Sequence, residues 1–345
     1  MESKGFPLFD RFPGLAAVPR VVLGTYPSPV EHIGLPGGGE LWLKRDDRNA
    51  PAAAGNKVRA LEFLLAPVRA GDLVLAVGGE GSTHVYATAV HAARLGARTD
   101  VIRWAHPMHP VSRAVARAIA RHAAGNSRSR WAAVALMRAT ARALAWRAGS
   151  PAASRGRHAI PPGGSSPAGI LGHVNAGLEL ATQIAEGQLP TPTHIVLPLG
   201  TGGTAAGLAL GLGIAGVGTT IVAARVAPRI VANSHHVHAL IGRTRRLIRR
   251  VTGDRGRLPA VPVVVDHSAY AGAYGRPSPA GATAAAQLSE AAARAGVSTL
   301  LLDATYAAKA GAVALALATT RTGVSDRRVL LWVTFDGRPF AEEGE

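Results

Sequence analysis

Leu199-Gly200-Thr201-Gly202-Gly203-Thr204-Ala205-Ala206-Gly207 follows an apolar run, Thr193 to Pro198, and opens an alanine-rich segment from Ala205. An apolar run that passes through glycines into a helical pattern reads as strand, tight turn and helix in an α/β core. Closely spaced glycines let backbone N–H groups converge on an anion, and the helix start adds partial positive charge. Thr201 and Thr204 supply hydroxyl donors. The loop lacks the Gly-Lys-Ser/Thr ending of a P-loop and does not meet the Gly-x-Gly-x-x-Gly spacing of a dinucleotide turn. It is suited to a phosphate; a turn needed only for close helix–sheet packing is the other reading.

The same alternation runs outward along the chain. Strands are predicted at 41–43, 73–77, 101–104, 193–198, 219–224, 261–265, 299–302 and 329–334. Helices are predicted at 56–68, with Asn56 as N-cap, then at 85–95, 111–124, 169–186 and from 205. Residues 125–160 are the least regular part, around an alanine-rich stretch from Trp131 to Trp146. The pattern is that of βα units around parallel sheets.

Composition narrows the function classes. A chain of 345 residues suits two domains, and the absence of cysteine excludes disulfides and thiolate metal sites. The first residues lack the apolar segment of a secretory signal. Ile195 to Ala224 carries no charge, but its glycines and proline favour buried core over a membrane span, so a soluble, cytoplasmic protein is expected. The net charge of +17 comes from dispersed arginines. The dense run Arg243 to Arg250, continuing to Arg255 and Arg257, reads as a solvated helix face, and no specific nucleic-acid partner is expected. His235, His236 and His238 lack a carboxylate or cysteine at a metal-ligand spacing, and no metal is expected.

Lys57, in Gly55-Asn56-Lys57-Val58-Arg59, is one of four lysines among 38 basic residues. Where arginine serves for plain charge, a lysine at a helix start stands out, because only lysine can lose its proton and become a nucleophile. A solvated helix-start lysine is the alternative. Gly78-Gly79-Glu80-Gly81-Ser82-Thr83-His84 is a second strand-to-helix loop, whose donors could grip a carboxylate or simply cap the helix. It is not the Gly-x-Ser-x-Gly elbow of a hydrolase. A lysine, a phosphate cup and a carboxylate cradle converge on pyridoxal 5′-phosphate and an amino-acid substrate.

These segments resemble the D-cysteine desulfhydrase/1-aminocyclopropane-1-carboxylate deaminase family, within the tryptophan-synthase-β-like pyridoxal-phosphate enzymes. The resemblance runs from Phe12 to Phe340. It is carried by Leu43 to Asp47 with Gly55 to Arg59, Gly78 to His84, Ile160 to Gly169, Leu199 to Gly207, and Leu302 to Ala310. It implies fold type II: two open, twisted, mostly parallel sheets flanked by helices. The large cofactor-binding domain would take residues 1–55 and 165–345, and the small mobile domain 56–164. It implies Lys57 as the Schiff-base residue. Asn56, Gly200, Thr201, Gly202, Gly203, Thr204, Tyr306 and Thr334 would join Lys57 around the cofactor. Ser82, Thr83 and His84 would meet the substrate, and Ser82, Tyr274 and Tyr306 would share the catalysis with Lys57. It also implies a homodimer.

The chain departs from the family on the substrate side. Ser82-Thr83-His84 replaces Ser-Asn-His, Tyr274-Gly275-Arg276 leads into Ala280 without a carboxylate, and Tyr306 precedes Ala307-Ala308 instead of Thr-Gly. Val333-Thr334-Phe335-Asp336-Gly337 replaces His-Thr-Gly-Gly. The implied activity is a lyase or deaminase that releases ammonia and a 2-oxo acid from a small amino acid. The alternatives are a replacement or tailoring enzyme for an unusual amino acid, and a cofactor-binding protein without turnover.

Overall fold

The uncharged stretch from Ile195 to Ala224 divides into a strand, a helix and a second strand, and that unit sits at the centre of the larger of two sheets. The computed structural model describes residues 6–36, 39–148, 155–320 and 327–340. The first part runs α1 (Pro7–Arg11), β1 (Val30–Gly34), β2 (Glu40–Arg45), α2 (Asn56–Leu64), β3 (Leu73–Gly79), α3 (Thr83–Arg94), β4 (Arg98–Trp104), α4 (Pro110–His122), β5 (Ala123–Ser129), α5 (Ala132–Ala148) and β6 (Arg157–Ala159). The second runs α6 (Pro167–Ala185), β7 (His194–Leu199), α7 (Gly203–Ile214), β8 (Thr220–Arg225), α8 (Ser234–Thr252), β9 (Val263–Asp266), α9 (Pro279–Arg294), α10 (Ala307–Thr319) and β10 (Val329–Val333).

The six-stranded sheet has the order β1-β2-β10-β7-β8-β9, and the four-stranded sheet β5-β4-β3-β6. Among the described strands, β1 pairs antiparallel with β2 and the other ladders are parallel. Strand β10 shows why the large sheet is buried on both faces. Its Leu330 and Trp332 enter one core, with Leu197 and Leu208, while Val329, Leu331 and Val333 enter the other, with Leu41 and Leu288. A strand covered by helices on both sides needs apolar residues at every position, and Val-Leu-Leu-Trp-Val supplies them.

Beneath α2 lies a buried ionic cluster. Arg59 donates to both oxygens of Asp46 at 2.7 and 2.8 Å and to Glu179 at 2.8 and 3.0 Å. Lys44 donates to Glu179 and Gln183, both at 2.5 Å, and to the carbonyl of Ser28 at 2.7 Å. Trp332 Nε1 donates to Asp46 at 2.8 Å. These bonds tie β2, α2, α6 and β10 together one turn from Lys57. Charges this deep are tolerable because each carboxylate is hydrogen-bonded by a cation.

Several expectations need correction. Asn56 does not cap α2; Gly55 occupies the cap position, and the Asn56 side chain reaches across to Thr204. Helix α2 ends at Leu64 and not near Val68, since Pro67 disfavours helical backbone at Ala66. Residues 299–302 form no strand; the carbonyls of Ser298 and Thr299 accept from Arg45 instead of joining a ladder. The segment called irregular contains β5, α5 and β6. The arginine run lies on α8, whose Val237, Leu240, Ile241 and Ile248 are buried.

Candidate active site

Gly55 sets the position of Lys57. Its φ of 141° lies outside the range that other residues adopt easily, and a Cβ there would collide with the carbonyl of Thr334. That carbonyl accepts from Asn56 N at 3.0 Å, so the end of β10 is stitched to the start of α2. Lys57 then projects toward the carbonyl of Gly163, 3.4 Å from Nζ. Burial lowers the Lys57 pKa from its usual value to about 8. The neighbouring imidazoles are neutral: His84 is held down to about 3, by burial and then by the Lys57 charge, and His173 is pushed well below its usual value for the same reasons. The Lys57 amine is therefore much readier to act as a nucleophile or base than a surface lysine.

The glycine loop faces the same space. Gly202 takes a left-handed conformation, φ 82°, and as N-cap releases the chain into α7 with no side chain of its own to cap the helix. Ser165 Oγ lies 2.7 Å from Thr201 Oγ1 and accepts from Gly203 N at 3.2 Å. Asn56 Nδ2 donates to Thr204 Oγ1 at 2.7 Å. Three hydroxyls and the N-terminus of a twelve-residue helix thus converge at one end of the cavity.

At another wall, Ser82 caps α3, accepting from Val85 N at 3.5 Å. The phenols of Tyr274 and Tyr306, hydrogen-bonded to each other, line the same wall. Burial pushes Tyr274 up to about 12 and raises Tyr306 well above its ordinary value. Both phenols keep their protons at neutral pH and act as donors. His106 packs edge-on against Tyr274, ring centres 4.8 Å apart.

Lys57, the glycine loop, Ser82 and the two tyrosines line one cavity of about 660 Å³. It brings together Lys57 and Asn56, Ser82 with Thr83 and His84, Gly200 through Thr204, Tyr274, Tyr306 and Thr334. Every residue expected to meet cofactor or substrate lines it. Several that line the cavity were not expected there: Ser165, Trp104, His236, Ile230, and Ala132, Ala133 and Leu136 of α5. Ser165 stood within a segment that carried the resemblance, but no spacing rule connects it with a loop 36 residues further on.

Two mostly parallel sheets flanked by helices, with this cavity at the C-terminal ends of β3 and β7, define the fold as that of the fold-type II pyridoxal-phosphate enzymes. The chain belongs to the pyridoxal-phosphate dependent enzyme family, whose model matches residues 22–334. It is 36% identical over 301 residues to a nocardicin C-9′ epimerase of Nocardia uniformis subsp. tsuyamanensis, covering 86% of this chain and 87% of that one. It is 29% identical over 318 residues to a D-cysteine desulfhydrase of Salmonella choleraesuis, again with 86% and 87% covered. A solved structure titled as an ACC deaminase homologue superposes with a TM-score of 0.75 at 24% identity, over 99% of this chain and 100% of that one, and shows the shared fold. The protein is a pyridoxal-phosphate enzyme. Among the described residues, no helix is long and apolar enough to cross a membrane.

Proposed function

We propose that the enzyme is a lyase or deaminase that takes a small amino acid, of the D-cysteine or 1-aminocyclopropane-1-carboxylate type, to ammonia and a 2-oxo acid. The observation that carries this reading is the opening of Lys57, the glycine loop and the Ser82–Tyr274–Tyr306 hydroxyls into one cavity. Pyridoxal phosphate, when bound, supplies a conjugated ring that takes up the charge left as a bond at the α-carbon breaks.

The residues present fit that group. Lys57 would hold it covalently, and its amine would move the proton at the substrate α-carbon. Thr201, Thr204, Ser165 and the N–H groups of Gly202 and Gly203 hold the phosphate. Thr334 offers the ring a neutral hydroxyl rather than a carboxylate, which suits elimination better than transamination. Ser82, at the start of α3, holds the substrate carboxylate where the helix dipole favours it. Tyr274 and Tyr306, protonated at neutral pH, donate to the group that departs. The two sheets support the division expected from the family: every strand of the smaller sheet lies within 56–164, and every strand of the larger outside it. We read the smaller part as a mobile lid over the substrate. The family resemblance supports a cytoplasmic homodimer, which size-exclusion chromatography with light scattering tests.

Two variants separate the halves of this reading. A Cβ at position 203 would lie 2.6 Å from Ser165 Oγ, so Gly203→Val should cost most of the bound cofactor in a protein that still folds. Full cofactor content in that variant would reduce the loop to a packing turn. Ser82→Ala should keep the cofactor and lose about ten- to a hundredfold in kcat/KM, the worth of one hydrogen bond to a charged group. Unchanged kinetics would place the carboxylate elsewhere.

A second reading has its own support. The Nocardia relative is named an epimerase, and a site with a proton acceptor at Lys57 and donors at Tyr274 and Tyr306 can remove and return a proton. An amino-acid panel in deuterated water distinguishes the two. Ammonia release supports the lyase; α-deuteration with inversion and no ammonia supports the epimerase.

A further inference from the structure

A second cavity, about 650 Å³ in volume, adjoins the first. Val77, Leu136 and Pro162 line both, so the two spaces share a wall built from β3, α5 and the turn that carries Gly163. Helix α5 creates this room. It lies on the small sheet through alanines, with Ala135 and Ala139 buried beside Leu75, Val77 and Ile102. A face of single methyl groups cannot fill the space between the helix and the neighbouring Leu64 and Pro67, and a groove remains. The groove runs from Leu136 past Ala139 and Ala143 to Leu144 and Trp146, and its walls are mainly apolar. Near the catalytic end, Ala132 and Ala133 bring the same helix to the cofactor cavity itself.

The side chains of D-cysteine and 1-aminocyclopropane-1-carboxylate are too small to occupy a second space of about 650 Å³ as well as the first. A groove that borders the cavity at Val77, Leu136 and Pro162 and is lined further on by an indole is matched by something longer and apolar. We propose that the enzyme accepts amino acids whose side chains carry a bulky apolar substituent, several methylenes or an aryl ring, and that the groove beneath α5 holds this substituent. The assignment rests on the reading that the cofactor cavity binds an amino acid by its carboxylate. The altered segments on the substrate side, Thr83 and Arg276 to Ala280, agree with a substrate other than the small ones.

Calorimetric titration of the holoenzyme with both enantiomers of alanine, cysteine, norleucine, S-benzylcysteine and S-(3-phenylpropyl)cysteine tests this. Each buried methylene should tighten binding by about two- to fourfold, so the long members should bind at least about tenfold more tightly than alanine. Ala143 lines only the groove, and Ala143→Trp should abolish that gain while leaving alanine and cysteine unaffected. The long members should also shift the emission of Trp146, and Trp146→Phe should remove the shift; this readout serves if the bulky variant does not fold. Flat affinity along the series, or a gain that survives both variants, overturns the groove assignment. Tight binding of the long members without ammonia release upholds the groove and removes the lyase reading. Ammonia from cysteine with no gain along the series removes the groove alone.

Discussion

Lys57→Arg is expected to lower turnover by about 10³-fold or more in a folded protein, since on the proposed reading it removes the group that anchors the cofactor and moves the proton, at least a general base. Arginine preserves the positive charge and most of the length but cannot lose its proton at any working pH. The variant therefore separates amine chemistry from simple charge. Because burial brings Lys57 down to about 8, the apoprotein should take up pyridoxal phosphate faster as pH rises through that value, where the neutral amine becomes the major form. Borohydride should then fix the cofactor to the peptide that contains Lys57. Lys309 is the serious competitor: it is fully buried, without a hydrogen-bond partner among the described residues, and also held near 8 by burial. Its pKa alone would qualify it. Position argues against it, because Lys57 lines the cavity and Lys309 does not. Lys44 is committed to Glu179 and Gln183. Fixation at either of these lysines would overturn the assignment.

Glu179→Ala should destabilise the protein by about 3–5 kcal/mol, because it leaves Arg59 and Lys44 buried with a partner missing. Equilibrium unfolding in urea measures the loss, and a change under about 1 kcal/mol would show the cluster to be dispensable. The wild type carries the same information in its acid limb. Flanked by Arg59 and Lys44, the Glu179 carboxylate is depressed to about 2 despite its burial. A carboxylate whose folded pKa lies below the unfolded one stabilises the fold above about pH 4.5. That contribution, about 3 kcal/mol, fades as pH falls from there toward 2. The acid limb should flatten in Glu179→Gln. Since Arg59 sits two residues from Lys57 on α2, loosening this cluster should also weaken cofactor retention.

The strands and helices around the glycine loop could be read from the sequence because their signals are local. Val-Leu-Leu-Trp-Val has nowhere to go but a buried strand, and glycines between an apolar run and an alanine-rich segment turn a strand into a helix. The parts misread are those where neighbours in space prevailed. Asn56 looks like a cap until Gly55 takes that place and Thr204 claims its side chain. Residues 299–302 look like a strand until Arg45 binds the carbonyls at their edge. The short β6 lies in the segment read as irregular and is a strand by its pairing with β3.

The sequence by itself determined the alternation of strand and helix, the strand–glycine–helix passage after β7, and the place of Lys57 at a helix start in an arginine-rich chain. Each follows from residue type and spacing over a dozen positions. Only the tertiary structure decided that Ser165 bonds to the glycine loop, that Ser82 shares a cavity with two tyrosines from distant parts of the chain, and that the alanines of α5 leave a groove beside that cavity. Those contacts join residues separated by 36 to more than 200 positions. They arise from how sheets and helices pack to bury their apolar faces, and no local pattern encodes that.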